Sequence, residues 1–171
     1  MGIFWEEVLY PPFLDTIRGE YYSIISDTEL NVELYNLGRR AVAAFKFPHV
    51  SLAYDVIYVK VEDGNEIVVG PTDDWDIVHP YFTSDEVTYR EIEVIIAWMK
   101  VYWAESQASN ADNFLNLYTD ANIKTFSRAN ALDKYLKFVT TFKKEAKELE
   151  DRYTRVAEDG TPALGEVNDD K

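Results

Sequence analysis

Apolar residues fall at helical intervals soon after the N-terminus: Phe13, Ile17, Tyr21 and Ile24 follow the pair Pro11-Pro12, whose fixed backbone angle suits a first helical turn. The spacing predicts a helix over about 12–25. Ser26 with Glu29 three places on is a capping-box pattern, and Leu30, Leu34, Leu37, Ala41 and Phe45 then track one face. A second helix is expected to reach about Phe47 and stop at Pro48. Gly38 inside it costs about 1 kcal/mol of helix propensity relative to Ala, yet a small residue also permits a close helix crossing. The period then changes to two. Val56 and Tyr58 alternate with Ile57, Val59 and Val61, and the β-branched run Ile67-Val68-Val69 follows Glu62-Asp63-Gly64-Asn65-Glu66. Asp-Gly between two such runs predicts a β-hairpin near 55–70. Two strands alone are marginal in water, so the hairpin must lie on the helices or be completed by another chain. Gly70 to Asp76 reads as an irregular acidic loop closed off by Pro80.

Thr83 and Glu86 repeat the capping-box spacing, with Asp85 adding charge at the positive end of the helix dipole. From there Ile92, Ile95, Ile96, Met99 and Trp103 form one stripe beside a second of Val94, Trp98, Val101 and Tyr102, which predicts a buried central helix over about 84–107. Ser106 to Asn110 offers a turn before a short helix carrying Phe114, Leu115 and Tyr118. A last long helix is expected over about 127–155, with Leu132, Leu136, Val139, Lys143, Ala146, Leu149 and Tyr153 on its inner face. Residues 156–171, holding Gly160, Pro162 and Gly165 but only small anchors such as Ala163, Leu164 and Val167, are expected to form a flexible acidic arm. The fold class implied is mainly α: a single-domain helical bundle over 1–155 with one inserted β-hairpin and that tail.

Charge adds a segregation that the pattern alone does not show. The 171 residues carry 31 acids and 17 bases, net −14, but residues 1–123 hold 21 acids against 7 bases while 124–155 hold 9 bases against 5 acids. One basic helix on an acidic molecule suits self-assembly, in which one copy's helix approaches a neighbour's acidic face. A solvated helix face with scattered i,i+4 pairs is the plainer alternative. Twenty-five aromatic residues argue for a packed core. Trp98 and Trp103 are expected inside it; Trp5, Tyr10 and Trp75, among prolines and acids, are candidates for contact with a partner.

Candidate chemistry is sparse. With no cysteine there is no disulfide, thiolate zinc site or cysteine nucleophile, and His49 and His79 are the only histidines. The glycines never approach the spacing of a phosphate loop, and no HExxH or Gly-x-Ser-x-Gly occurs. Asp73, Asp74, Asp76 and His79 have metal-ligand residue types without the spacing of a calcium loop. Glu91 and Glu93 diverge on a helix, so they make no acid/base pair. Neither an enzyme nor a cofactor is expected. Net negative charge argues against sequence-specific nucleic-acid binding, despite the lysines of the last helix. No apolar run reaches the ~20 residues of a membrane span. Glu6 and Glu7 disrupt a signal-peptide pattern, and Glu6 also stands where a myristoylation motif has Ser or Thr.

The order of paired helices, hairpin, then Asp85-Glu86, Glu91-Ile92, Ala97-Trp98-Met99 and Trp103, then Phe126-Ser127-Arg128-Ala129-Asn130 opening a Lys/Glu-rich helix to Arg152-Tyr153, resembles the head–tail connector (neck or adaptor) proteins of tailed bacteriophages. The resemblance covers about 83–155 and lies in caps and aromatics rather than in an invariant motif. It implies a structural virion protein, assembled in the host cytoplasm, that forms a homo-oligomeric ring, dodecameric in that family. Such a ring joins the portal protein to tail or stopper proteins around the DNA channel, and an acidic lumen would let DNA slide without sticking. The resemblance also implies a mobile arm, for which the hairpin and the tail are the candidates. The interface candidates are then Trp5, Tyr10, Trp75, Ile57, Val59, Ile67, Val69, Lys143, Lys144, Lys147, Leu164 and Val167. The alternative is a cytosolic helical interaction or regulatory module with an acidic partner-binding surface, including an acidic DNA mimic.

Overall fold

A computed structural model describes residues 2–17, 26–117 and 125–156, with side chains for all of these except 111–117, 125–129 and 131. The elements are β1 (Ile3–Phe4), α1 (Trp5–Val8), α2 (Tyr10–Thr16), α3 (Asp27–Ala44), β2 (Tyr54–Glu62), β3 (Asn65–Val69), β4 (Ile77–Phe82), α4 (Tyr89–Leu117) and α5 (Thr125–Thr154). The strands form one antiparallel sheet in the order β1-β4-β2-β3. The expected mainly α bundle with a single hairpin is therefore corrected to a mixed α/β fold. The chain divides into two compact units, 1–96 and 97–171, and the division falls within α4.

In the N-terminal unit the hairpin forms where expected. Asp63 and Gly64 both take positive φ, 52° and 78°, the two-residue turn whose twist matches the flanking strands. What completes it is β4, which pairs along β2 from Tyr54↔Phe82 to Val59↔Ile77. Ile77 to Phe82 had looked like the end of a loop because Pro80 normally excludes a central strand. The register removes the conflict. Both backbone groups of Val78 point away from β2, to the side chain of Asn31, so Pro80, two residues on, aims its missing N–H the same way. On that side β1 pairs only with Tyr81 and Phe82, so Pro80 removes no hydrogen bond from the ladder.

The core of this unit lies on the sheet face carrying Val78, Pro80 and Phe82, all fully buried. Trp5 fills it, its ring 4.8 Å from that of Tyr54, 5.4 Å from Phe82 and 6.3 Å from Tyr35. Gly38 of α3 makes room: a Cβ there would stand 2.6 Å from the Trp5 ring. Helix α3 opens with the expected box, Glu29 N–H donating to Ser26 Oγ at 3.3 Å and Ser26 N–H to Glu29 Oε2 at 3.0 Å. Those bonds hold the Glu29 carboxyl below its ordinary range. It ends at Ala44, short of Phe47, because Phe45 turns extended and is buried. Helix α2 ends at Thr16, and 18–25 of the first predicted helix lie outside the described residues.

The box expected at Thr83 and Glu86 is also corrected. Thr83 instead donates its N–H and its hydroxyl to the Ala53 carbonyl, closing the sheet. The N-terminal cap lies five residues on, where Thr88 donates its N–H at 2.8 Å, and its hydroxyl, to the buried Glu91 carboxylate, and α4 starts at Tyr89.

In the C-terminal unit α4 contributes buried Ala97, Trp98, Met99, Val101, Trp103, Ala104 and Ala108. It runs on to Leu117, through the turn expected at Ser106–Asn110 and the separate helix expected around Phe114 and Leu115; Tyr118 lies outside the described residues. Helix α5 packs against it antiparallel. Trp98 Nε1 donates to Glu150 Oε2 at 3.2 Å, Lys100 Nζ lies 3.6 Å from Glu145 and 5.1 Å from the Phe142 ring centre, and Trp103 meets Tyr135 edge-on at 6.0 Å. The inner face of α5 is rotated from the expected one. Tyr135, Phe138, Phe142, Ala146, Glu150 and Tyr153 carry the packing, while Leu136 and Lys143 are exposed.

Replacing Gly38 by Ala removes a helix-interior glycine, worth about 1 kcal/mol, but forces a methyl into a fully buried indole, an overpacking of about 1–3 kcal/mol. Urea unfolding of Gly38→Ala is expected to show a net loss of stability, and Gly38→Val a larger one.

Candidate functional site

Two exposed surfaces stand out among the described residues, one in each unit. The first is the outer end of the hairpin. Asp76 donates its N–H to the Val59 carbonyl and accepts from Val61 N–H through Oδ2, both at 2.8 Å, so odd-numbered β2 residues bond toward β4. Tyr58, Lys60 and Glu62 therefore bond to Val69, Ile67 and Asn65, and the backbone groups of Glu66 and Val68 point outward from β3. Asn31 covers the bare stretch of β4 and Asp76 the bare end of β2, but no described residue covers β3. Its side chains are open too: Val68 is 72% exposed, Ile67 44% and Val61 40%. Cross-strand pairing puts Val61, Glu66 and Val68 on one face and Ile67 on the other, beside the Lys60–Glu62 ion pair at 2.9 Å.

Residues 55–76 carry seven acids and one base, so this apolar edge sits in a negative field. Lys60 is correspondingly held above its ordinary pKa, by Glu62 first and then by Asp74 and Asp76.

The second surface is the outer face of α5. Leu136, Thr140, Lys143 and Lys147 lie within about 40° of one line along the helix, and all are exposed. Lys137 and Lys144 beside them are engaged locally, with Asp133 at 2.7 Å and Glu148 at 3.8 Å. Lys143 and Lys147 have no carboxylate partner among the described residues.

The residues singled out from sequence distribute unevenly over these surfaces. Ile67 lies on the open edge, and Lys143, Lys144 and Lys147 on the α5 face. Ile57 and Val69 are half-buried in the sheet, and Val59 is buried. Trp75 is half-buried with its ring 5.5 Å from Tyr58. Trp5 and Tyr10 are corrected from partner contacts to core: Trp5 is 0% and Tyr10 5% exposed, because α1 and α2 lay their inner faces in the N-terminal unit. Burial pushes the Tyr10 hydroxyl well above its ordinary pKa, with Glu6 adding to the effect. Leu164 and Val167 lie outside the described residues, as does the tail from 157. Val61, Val68 and Leu136 were not among the sequence candidates. For Val61 and Val68 the available signal was an apolar run on both faces of a strand beyond the reach of its neighbours; for Leu136 it was the aromatic stripe that displaces it.

The acidic loop has a structural use. Asp73 accepts from Gly70 N–H at 2.8 Å, Asp76 completes β2, and His79 Nδ1 lies 2.6 Å from Glu6 Oε1. Among the described residues no group of three acids or histidines is placed to hold a metal ion, and no helix is long and apolar enough to cross a membrane. Compared with models of protein families, with curated proteins and with solved structures, the chain finds no match.

The two kinds of edge should respond differently to substitution. Asn31→Ala strands both backbone groups of Val78 and is expected to cost about 1–3 kcal/mol in urea unfolding, whereas Val68→Thr, at an open position, should change stability by no more than about 0.5 kcal/mol.

Proposed function

We propose that this chain is a structural subunit that assembles into a homo-oligomeric ring, as a head–tail connector of a tailed bacteriophage joining portal to tail around the DNA channel. The observation that carries the proposal is the pair of exposed surfaces of opposite charge on separate units: an apolar β-edge in an acidic setting that no described residue covers, and a long-helix face on which Lys143 and Lys147 have no carboxylate partner among the described residues. A subunit with two different complementary surfaces joins head to tail, and such contacts close into a ring when the rotation from one copy to the next closes. Excess negative charge, facing a channel, repels phosphate and keeps the genome from adhering. The order of residues over 83–155, above all the aromatics of α4 and the Lys/Glu-rich α5, supplies the resemblance to the connector family.

Native mass spectrometry and negative-stain electron microscopy, on the chain alone and with a portal ring from the same genome, test the proposal. The expected result is a closed ring with a central channel that binds the portal end-on. A chain that stays monomeric at every concentration and leaves the portal free would overturn it, as would a tight complex with a DNA-processing enzyme in place of portal binding.

A further inference from the structure

We infer that the subunit contact is made by the α5 outer face of one copy seated on the β3 edge of the next. The inference rests on the assembly proposed above but not on the neck as its setting. Self-pairing of β3 is the obvious competitor for an open edge. Charge decides against it: two hairpins meeting edge to edge would bring together two segments of seven acids and one base each. The α5 face offers the complement. Its exposed leucine matches the apolar patch of Val61 and Val68, and Lys143 and Lys147 need carboxylates that their own helix does not provide.

The spacing agrees. From Leu136 to Lys143 the helix rises about 10 Å, and to Lys147 about 16 Å. From Val68 to Asn65 the strand advances about 10 Å, with Glu66 on the way and the turn acid Asp63 just beyond. A helix laid along the hairpin with Leu136 over Val68 therefore brings Lys143 level with Asn65, about 3 Å past Glu66 and within reach of its carboxylate through the flexible lysine stem, and Lys147 to the turn. Lysines also reach about 6 Å beyond the helix surface, so their ammonium groups can approach the outward carbonyls of Glu66 and Val68 as well as the carboxylates. Because the two surfaces differ, each copy uses both, and the contact propagates in one direction.

Reversing charge on each face separately tests this. Lys143→Glu with Lys147→Glu reverses the helix face, and Glu66→Lys with Val68→Lys reverses the edge; all four positions are exposed, and circular dichroism of each variant checks that it folds. By sedimentation velocity each variant alone should lose self-association by about tenfold or more, and their equimolar mixture should regain it in mixed complexes. The milder pair Lys143→Gln and Lys147→Gln should weaken association without reversing it. Undiminished association of the helix-face variant would overturn the inference in favour of edge-to-edge pairing, and so would a mixture that fails to recover. If the mixture assembles but wild-type rings ignore a portal, the contact stands and the neck assignment falls.

Discussion

The N-terminal unit depends on the fit between the Trp5 indole and Gly38. Trp5 follows immediately on β1, so seating its ring against α3 also fixes where β1 meets β4 and where α1 leaves the sheet. Burying so large a ring is worth several kcal/mol, about 3–5 by the usual penalty for truncating a buried aromatic. No other residue type at position 38 leaves space for it at this helix approach. With Tyr54, Phe82 and Tyr35 around the same ring, the sheet and α3 become one body on which the hairpin stands as a projection.

That body also determines which edge is open. Each bare stretch of the inner strands is closed by a side chain that imitates a neighbouring strand: Asn31 gives Val78 both a donor and an acceptor, and Asp76 accepts from Val61. Beside such closure, the outer edge of β3 stands apart, with apolar side chains on both faces. Acids around it discourage pairing with its own kind, the ordinary protection of an edge strand, while leaving it open to a basic partner.

Local chemistry was the legible part of this fold. The Ser26–Glu29 box, the Asp63-Gly64 turn and the special place of Gly38 were each readable because they involve residues a few positions apart or a single steric fact. The sheet was not readable, since β4 is held by partners that sequence spacing does not connect: Asn31 is 47 residues from Val78. Pro80 hid the strand until the register showed which way its nitrogen points. The start of α4 was misplaced because Thr83 is taken up by the Ala53 carbonyl, and Thr88 with Glu91 caps the helix instead. On α5 the periodicity was right and its phase wrong, because Tyr135, Phe138 and Phe142 bury more area than the leucine and lysine first placed inside. Trp5 and Tyr10 were misplaced because the first helix was started at about residue 12, after both of them, whereas α1 begins at Trp5 and α2 at Tyr10.

The natural chain has no cysteine, so a single introduced thiol reports on one position without background. The most direct measurement is disulfide trapping between separately labelled chains, one carrying Val68→Cys and the other Leu136→Cys, under mild oxidation. If the β3 edge receives the α5 face of the next copy, the dominant product is a mixed dimer joining the two labels. A Val68→Cys chain that cross-links chiefly to itself, with Leu136→Cys left reduced, would contradict the account.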